Sequence, residues 1–286
     1  MKISVITVCK NADAYIEQAI QSVVNQTYPN VEYLIIDGKS SDRTLDIVNA
    51  YADKIADVVS EPDDGIYAAM NKGIRKATGD FLYFLNSDDY LVDSHVFQEL
   101  ANFISQQPKC EFVYGQMEMR MGKGNRTMQR IPRPVSQLKE ALLSYAEGPQ
   151  HAASFFGRHL FDRLGLFDET YRISADYDWF LRLAQDLEAA VCYFPRMIAS
   201  CSNQGLSCRQ QNLGLQECFR ALNDAPIYQN EDWLKQRVQH LQQQYLNLYD
   251  NLLDAVNKPA RFANSSRSNA LLNKTEKLRE KLRQLS

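Results

Sequence analysis

The sequence predicts an α/β protein, a mostly parallel sheet with packed helices followed by a helical extension. Three observations predict it. Short β-branched and aromatic runs alternate with stretches of helical apolar spacing from the first residues onward, an order that builds parallel strands through right-handed crossovers. The runs at 3–8, 31–36 and 81–85 are largely apolar without alternation, as strands covered on both faces are. From Leu234 onward, apolar residues recur by steps of four and three, the seam of a long helix.

Taken in order, residues 3–8 form a first strand, and Ala12, Ile16, Ala19, Ile20, Val23 and Val24 give 11–25 a helical face. A second strand at 31–36 ends in Asp37-Gly38, and Ser40 or Ser41 caps a helix to about Ala50. A short strand around Val58 and Val59 leads into Glu61-Pro62-Asp63-Asp64-Gly65, a turn by composition. A helix at 66–77 is stopped by Gly79, the strand at 81–85 follows, and a further helix runs from Asp93 to about Gln107. The runs at 112–121 and 127–131 read as a hairpin around Gly122-Lys123-Gly124-Asn125. Its cations Arg120, Lys123, Arg126, Arg130 and Arg133 suit a solvated edge or an anion-binding one. A short helix at 138–145 is broken by Gly148-Pro149-Gln150-His151, and an apolar run occupies 152–156. After a turn at 165–169 comes an amphipathic helix with Asp176 and Asp178 in its first turn, where the helix dipole stabilises carboxylates. Residues 191–193 and 197–202 return as strands.

A formal charge of -3 argues against nucleic acid as the main partner. The six cysteines show no C-x-x-C spacing, so they read as free thiols of a reducing compartment and not as a zinc site. No signal peptide and no bilayer-crossing run is expected, which leaves peripheral contact as the route to a membrane. The first glycine is Gly38, so the turn after strand one is neither G-x-G-x-x-G nor a P-loop. A dinucleotide dehydrogenase and a P-loop kinase are thereby disfavoured. The other way to hold a diphosphate is a metal on carboxylates. Asn86-Ser87-Asp88-Asp89 sets two adjacent carboxylates where the strand at 81–85 runs out, and strand carboxyl ends are where such sheets bind ligands. Neighbouring carboxylates repel unless a cation sits beside them, and Mg²⁺ takes one or two carboxylates plus substrate phosphates. A strand-ending turn with two solvated aspartates is the alternative.

The pieces that carry a family likeness stand in order over residues 3–205: Ile6-Thr7-Val8 with Asn11; Ile35-Ile36-Asp37-Gly38 with Ser40-Ser41-Asp42-Arg43-Thr44; Glu61 through Tyr67; Met70-Asn71-Lys72-Gly73; Leu85-Asn86-Ser87-Asp88-Asp89; and Ala175-Asp176-Tyr177-Asp178 running into Leu181-Arg182-Leu183. Together they resemble the family 2 glycosyltransferases of the GT-A fold, in particular bacterial members that build O-antigen and other surface polysaccharides. The resemblance implies a Rossmann-like nucleotide-binding sheet with an adjoining acceptor-side region. It implies inverting, metal-dependent transfer of a hexosyl or N-acetylhexosaminyl group from a nucleotide sugar, UDP-linked by preference, to a glycan or lipid-linked acceptor. Mn²⁺ or Mg²⁺ would sit on Asp89. Thr7 and Asp37 would hold the base and ribose, and Asp64, Gly65, Lys72 and Asp88 the rest of the donor. Asp176 would be the catalytic base, with His151 and Trp179 toward the acceptor or a phosphate.

The residues by themselves leave alternatives open. His151 reads equally as a packed turn histidine or as a ligand of phosphate or metal, Trp179 as core beside Phe180 and Leu183, and Lys72 as a solvent-facing lysine. Asp178 reads as structural, since one helix turn rarely aims two neighbouring carboxylates at one atom. A nucleotide-sugar-binding subunit without turnover and a sugar nucleotidyltransferase are rival readings, the latter lacking its glycine-rich loop here. The domain reading is a catalytic region at 1–225 and a helical extension at 226–286. Its last 26 residues carry seven Lys or Arg against two Glu, which suits an anionic membrane surface on the cytoplasmic face. The seams at 234–255 and 271–285 suit a hairpin or a homo-oligomer.

Overall fold

The structure, a computed structural model, describes residues 1–121, 127–143, 147–186 and 188–257. The chain divides into a unit of Met1–Ala225 and a second of Pro226–Ser286. Among the described residues the first unit holds one nine-stranded sheet. Its strands are β1 (Ile3–Cys9), β2 (Val31–Asp37), β3 (Asp57–Ser60), β4 (Phe81–Asn86), β5 (Tyr90–Leu91), β6 (Phe112–Arg120), β7 (Thr127–Arg130), β8 (Ser154–Gly157) and β9 (Val191–Ser202). The spatial order is β3-β2-β1-β4-β8-β6-β9-β5, with β7 paired to β6. The first four strands are parallel. Beyond them the sheet is mixed, because β8 inserts antiparallel between β4 and β6. The apolar run at 152–156 thus supplies a central strand.

The helices of this unit are α1 (Ile16–Val24), α2 (Thr44–Asn49), α3 (Ile66–Lys76), α4 (Val96–Ser105), α5 (Leu138–Ala141), α6 (Arg158–Leu164), α7 (Ala175–Gln185), α8 (Leu206–Arg209) and α9 (Gln211–Asp224). Ile3, Val5 and Cys9 of β1 share a core with Ile16, Ala19, Ile20 and Val23 of α1 and with Phe97 and Leu100 of α4. Each large side chain buried there contributes about 1.5–3 kcal/mol. On the opposite face α3 lies against β1 so closely that a Cβ at Gly73 would stand 2.4 Å from Ile6 Cγ2. Any larger residue there forces Ile6 or the helix to shift.

Two helix starts differ from the sequence reading. α1 begins at Ile16 and not at residue 11, because Asn11 is left-handed (φ 51) and its side chain is spent on a loop. Its Oδ1 accepts from the Ser41 amide at 2.9 Å, while its own N–H donates to Ser40 Oγ at 2.8 Å. α2 begins at Thr44, since Ser40 hydrogen-bonds Asp37 and does not cap a helix. The hairpin of β6 and β7 is present, and residues 122–126, with Lys123 and Arg126, lie outside the described residues. Cys110 and Cys192 form a disulfide with Cα atoms 6.1 Å apart, which corrects the free-thiol expectation for that pair. Parallel pairing of β6 with β9 sets Cys192 opposite Val113, just past Cys110. The second unit contains α10 (Glu231–Asn257), and the seam expected at 271–285 lies outside the described residues. No helix among the described residues is long and apolar enough to cross a membrane.

Candidate active site

The register of the parallel strands brings their carboxyl ends level, with Cys9 opposite Asp37 and Val8 opposite Asn86. A cavity of about 730 Å³ opens there, lined by Val8 to Ala12, Asp63, Gly65 to Tyr67, Asn86 to Asp89, His151 and residues of α8 and α9. Volumes of about 300–1,000 Å³ suit small-molecule ligands. Gly65 is placed by its backbone, since φ 138 at the start of α3 is open to glycine and strained for other residues.

Asp88 and Asp89 follow β4 into this cavity. Asp89 is buried (5% exposed), and its Oδ1 accepts from the Ser202 amide of β9 at 2.7 Å while Asn86 Nδ2 donates to Oδ2 at 3.3 Å. Burial and the charge of Asp88 push its carboxyl up to about 6. Arg120 does not neutralise the pair through their side chains. Its guanidinium lies 4.4 Å from the centre of the Tyr90 ring and donates to the backbone carbonyls of Asp88 and Ser200, each at 2.5 Å. Among the described residues no cluster of three or more His, Cys, Asp or Glu makes a metal cage. Two neighbouring hard carboxylates fit the other mode, in which a divalent ion takes one or two protein oxygens and substrate phosphates complete its shell.

His151 and Asp176 form a pair beside these carboxylates, joined to Asp89 through Asn86. The His151 Nδ1–H donates to Asp176 Oδ2 at 2.9 Å, and Asn86 Nδ2 lies 3.1 Å from His151 Nε2. The Asp176 side chain is only 2% exposed, whereas that of His151 is 22% exposed and lines the cavity. Asp176 also accepts from the Tyr67 hydroxyl at 3.1 Å and from the Tyr177 amide at 2.9 Å. Burial alone would lower the His151 imidazole. Its hydrogen bond to Asp176 and the charges of Asp176, Asp89 and Asp88 outweigh that and hold the ring above its ordinary value.

A family model described as Glycosyl transferase family 2 matches residues 4–165. The chain belongs to this family. It is 30% identical over 209 residues to the PGL/p-HBAD biosynthesis glycosyltransferase of Mycobacterium bovis (strain BCG / Pasteur), covering 71% of this chain and 77% of that one. S. aureus TarS 1–349 in complex with UDP-GlcNAc superposes with a TM-score of 0.63 at 20% identity, covering 79% of this chain and 68% of that one; the match covers 40% of a longer TarS chain. The mannosyltransferase PcManGT from Pyrobaculum calidifontis, in complex with GDP-Man and Mn²⁺, gives 0.63 at 20% identity over 97% of this chain and 80% of that one. The fold of this family 2 glycosyltransferase is therefore the GT-A fold.

Of the residues singled out in the sequence, Gly65, Asp88, Asp89 and His151 line the cavity. Asp176 stands behind His151. Trp179 is corrected: it is fully buried among Phe112, Phe156, Phe161 and Phe180, and its Nε1–H donates to the Gly165 carbonyl at 3.1 Å. Its bulk fixes α7 and leaves no face for a sugar. Lys72 lies at the turn before its own helix, where it holds Asp63 at 2.5 Å, Glu61 at 2.9 Å and the Pro62 carbonyl at 3.0 Å. Asp63, not the exposed Asp64, reaches the cavity wall. Thr7 is fully buried with Oγ1 3.1 Å from the Tyr33 hydroxyl, on the strand face it shares with Val5 and Cys9. Asp37 is buried too, its carboxylate accepting from the Ser40 amide at 3.0 Å and Ser60 Oγ at 2.6 Å. Through Ser40 and Asn11 it fixes the loop that lines the cavity. Asp178 pairs with Arg182 at 2.9 Å.

Sequence reasoning missed Glu217. This buried carboxylate of α9 accepts from the amides of Arg172, Ile173 and Ser174 at 2.8, 2.8 and 3.0 Å, a charge-assisted cap on the start of α7. It also missed Asn71, whose side-chain amide bridges the Phe167 carbonyl and amide at 2.9 and 3.1 Å. Only the placement of Asn71 inside a matching motif hinted at it.

Proposed function

We propose that this glycosyltransferase moves a hexosyl or N-acetylhexosaminyl group, with inversion, from a nucleotide-diphosphate sugar to a glycan or lipid-linked acceptor in cell-surface polysaccharide synthesis. The observation that carries the reading is the cavity itself, whose lining brings together Asp88, Asp89 and His151, with Asp176 hydrogen-bonded to His151 from behind. Transfer of this kind separates charge, positive on the sugar ring and negative on the departing diphosphate. Asp89 would hold Mn²⁺ or Mg²⁺ with Asp88 turned to the donor, and such an ion supplies Lewis-acid stabilisation of the leaving charge. The protein's own parts do the rest. Gly65 and the loop at 8–12 bound the donor side, and the histidine side takes the acceptor, whose hydroxyl needs a base within hydrogen-bond reach.

The neighbours with UDP-GlcNAc and GDP-Man support a nucleotide sugar as donor, and we take a UDP-sugar as the first candidate. The extension at 226–286 supports work at the cytoplasmic face of a membrane, or pairing of two copies along α10, where Leu234, Val238 and Leu241 are exposed. A thermal-shift panel of UDP-, GDP- and dTDP-sugars with Mn²⁺ tests the donor claim. One nucleotide class should raise the unfolding temperature, and the Mn²⁺ dependence of that rise should vanish in Asp89→Ala. No shift with any nucleotide sugar would remove the donor assignment.

A further inference from the structure

The family motif points to Asp176 as the group that takes the acceptor's proton, yet Asp176 lies behind the cavity wall with its two oxygens engaged by His151, Tyr67 and the Tyr177 amide. We infer that His151 is the base that touches the acceptor hydroxyl and that Asp176 is a positioning residue acting through it, an assignment that rests on the transferase reading above.

The geometry dictates the tautomer. Nδ1 faces the Asp176 carboxylate at 2.9 Å and, against an acceptor-only partner, carries the hydrogen. The lone pair is then on Nε2, on the side of Asn86 and the aspartates that end β4. That is the side where the donor's diphosphate would lie. The acceptor hydroxyl replaces the Asn86 N–H as the donor to Nε2. Its oxygen forms the bond to the anomeric carbon as the carbon–oxygen bond to the diphosphate breaks, and the bonding pair leaves with the diphosphate. The hydroxyl proton passes to Nε2, and the resulting imidazolium is balanced by Asp176 before it returns the proton to solvent.

The ring is rigidly placed for this. His151 begins the 3-10 turn His151–Ala153, which leads straight into β8 at the centre of the sheet. Asp176 is fixed by the aromatic core under Trp179 and by the Glu217 cap on the residues before α7. The charged groups that face the imidazole are Asp176 from α7 and Asp88 and Asp89 from the end of β4, all anionic. They favour the imidazolium that proton abstraction creates.

Steady-state kinetics on the full chain with its donor and acceptor decide the matter, using His151→Gln, His151→Ala and Asp176→Asn, with donor binding and thermal unfolding measured on each. His151→Gln should lower kcat by about 10²–10⁴-fold with little change in the donor's KM. Added imidazole should partly restore His151→Ala. Asp176→Asn should move the acid limb of kcat/KM to lower pH, since the carboxylate that raises the ring is gone. A purely structural Asp176 would leave that limb in place. If His151→Gln turns over at the wild-type rate while Asp176→Asn does not, Asp176 is itself the base and the assignment is wrong. If imidazole leaves a folded, donor-binding His151→Ala inactive, the assignment is equally wrong. Wild-type protein that transfers no sugar from any nucleotide sugar would overturn the transferase reading and this one together.

Discussion

Asp89 is the residue at which folding and the proposed metal-binding role pull in opposite directions. Its carboxyl, held up to about 6 by burial and by Asp88, ionises far more easily in the unfolded chain, where an aspartate titrates near ~3.9. A carboxyl raised by folding favours the native state below the unfolded value and loses that contribution as pH rises through the folded one. Asp89→Asn, which keeps the shape and drops the charge, should therefore unfold without metal at no lower temperature than wild type at about pH 8, with any advantage gone below about pH 4. Calorimetry at the two pH values checks this. A variant much less stable at the higher pH would mean that a protein cation already balances the carboxylate. The motif Asn86-Ser87-Asp88-Asp89 was legible as a site because polarity flips at a strand end. The contact between His151 and Asp176 was not, because residues 25 apart meet only once β8 and α7 are packed.

Among the elements, those with strong periodicity or continuous apolar runs stood out in the sequence: β1, β2, β4, α3 and α4 fall where their patterns put them. The failures share a cause. The starts of α1 and α2 were read too early because Asn11 and Ser40, good capping residues in isolation, are drawn into a loop-to-loop network around Asp37. Such side-chain bonds compete with helix capping and are decided by tertiary context. β8 is four residues long, too short for periodicity to speak. Its place between β4 and β6 is set by stacking of Phe155 on Tyr83, with ring centres 4.7 Å apart, and by Phe156 against Phe112 at 5.2 Å. Pairs of this kind are worth about 0.5–1.5 kcal/mol each beyond their buried area. They hold the His151 turn at the cavity. Trp179 belongs to the same cluster, so a residue that suggests sugar stacking serves instead to anchor α7.

For the whole molecule, charge separates the two ends of the chain. Residues 261–286 carry a net +5 against about -8 for the remainder, and this segment lies outside the described residues. Each basic side chain near an anionic membrane contributes roughly 1 kcal/mol of attraction, screened by salt. Deleting 261–286 should release the protein from anionic vesicles in a sedimentation assay while sparing transfer to a soluble acceptor analogue. Equal sedimentation with and without the segment would reject the membrane role, and a shift to monomer on deletion would assign the segment to oligomerisation. Central to all of this is the proposal that sugar transfer takes place at the cavity of the first unit. Its most direct measurement is nucleoside diphosphate released from the nucleotide sugar that the protein binds, with Mn²⁺, in the presence and absence of a membrane lipid extract, wild type beside Asp89→Ala. Release that requires both the extract and Asp89, with radiolabelled sugar recovered in the lipid fraction, is the expected result. Binding without release, or release that Asp89→Ala leaves unchanged, would contradict it.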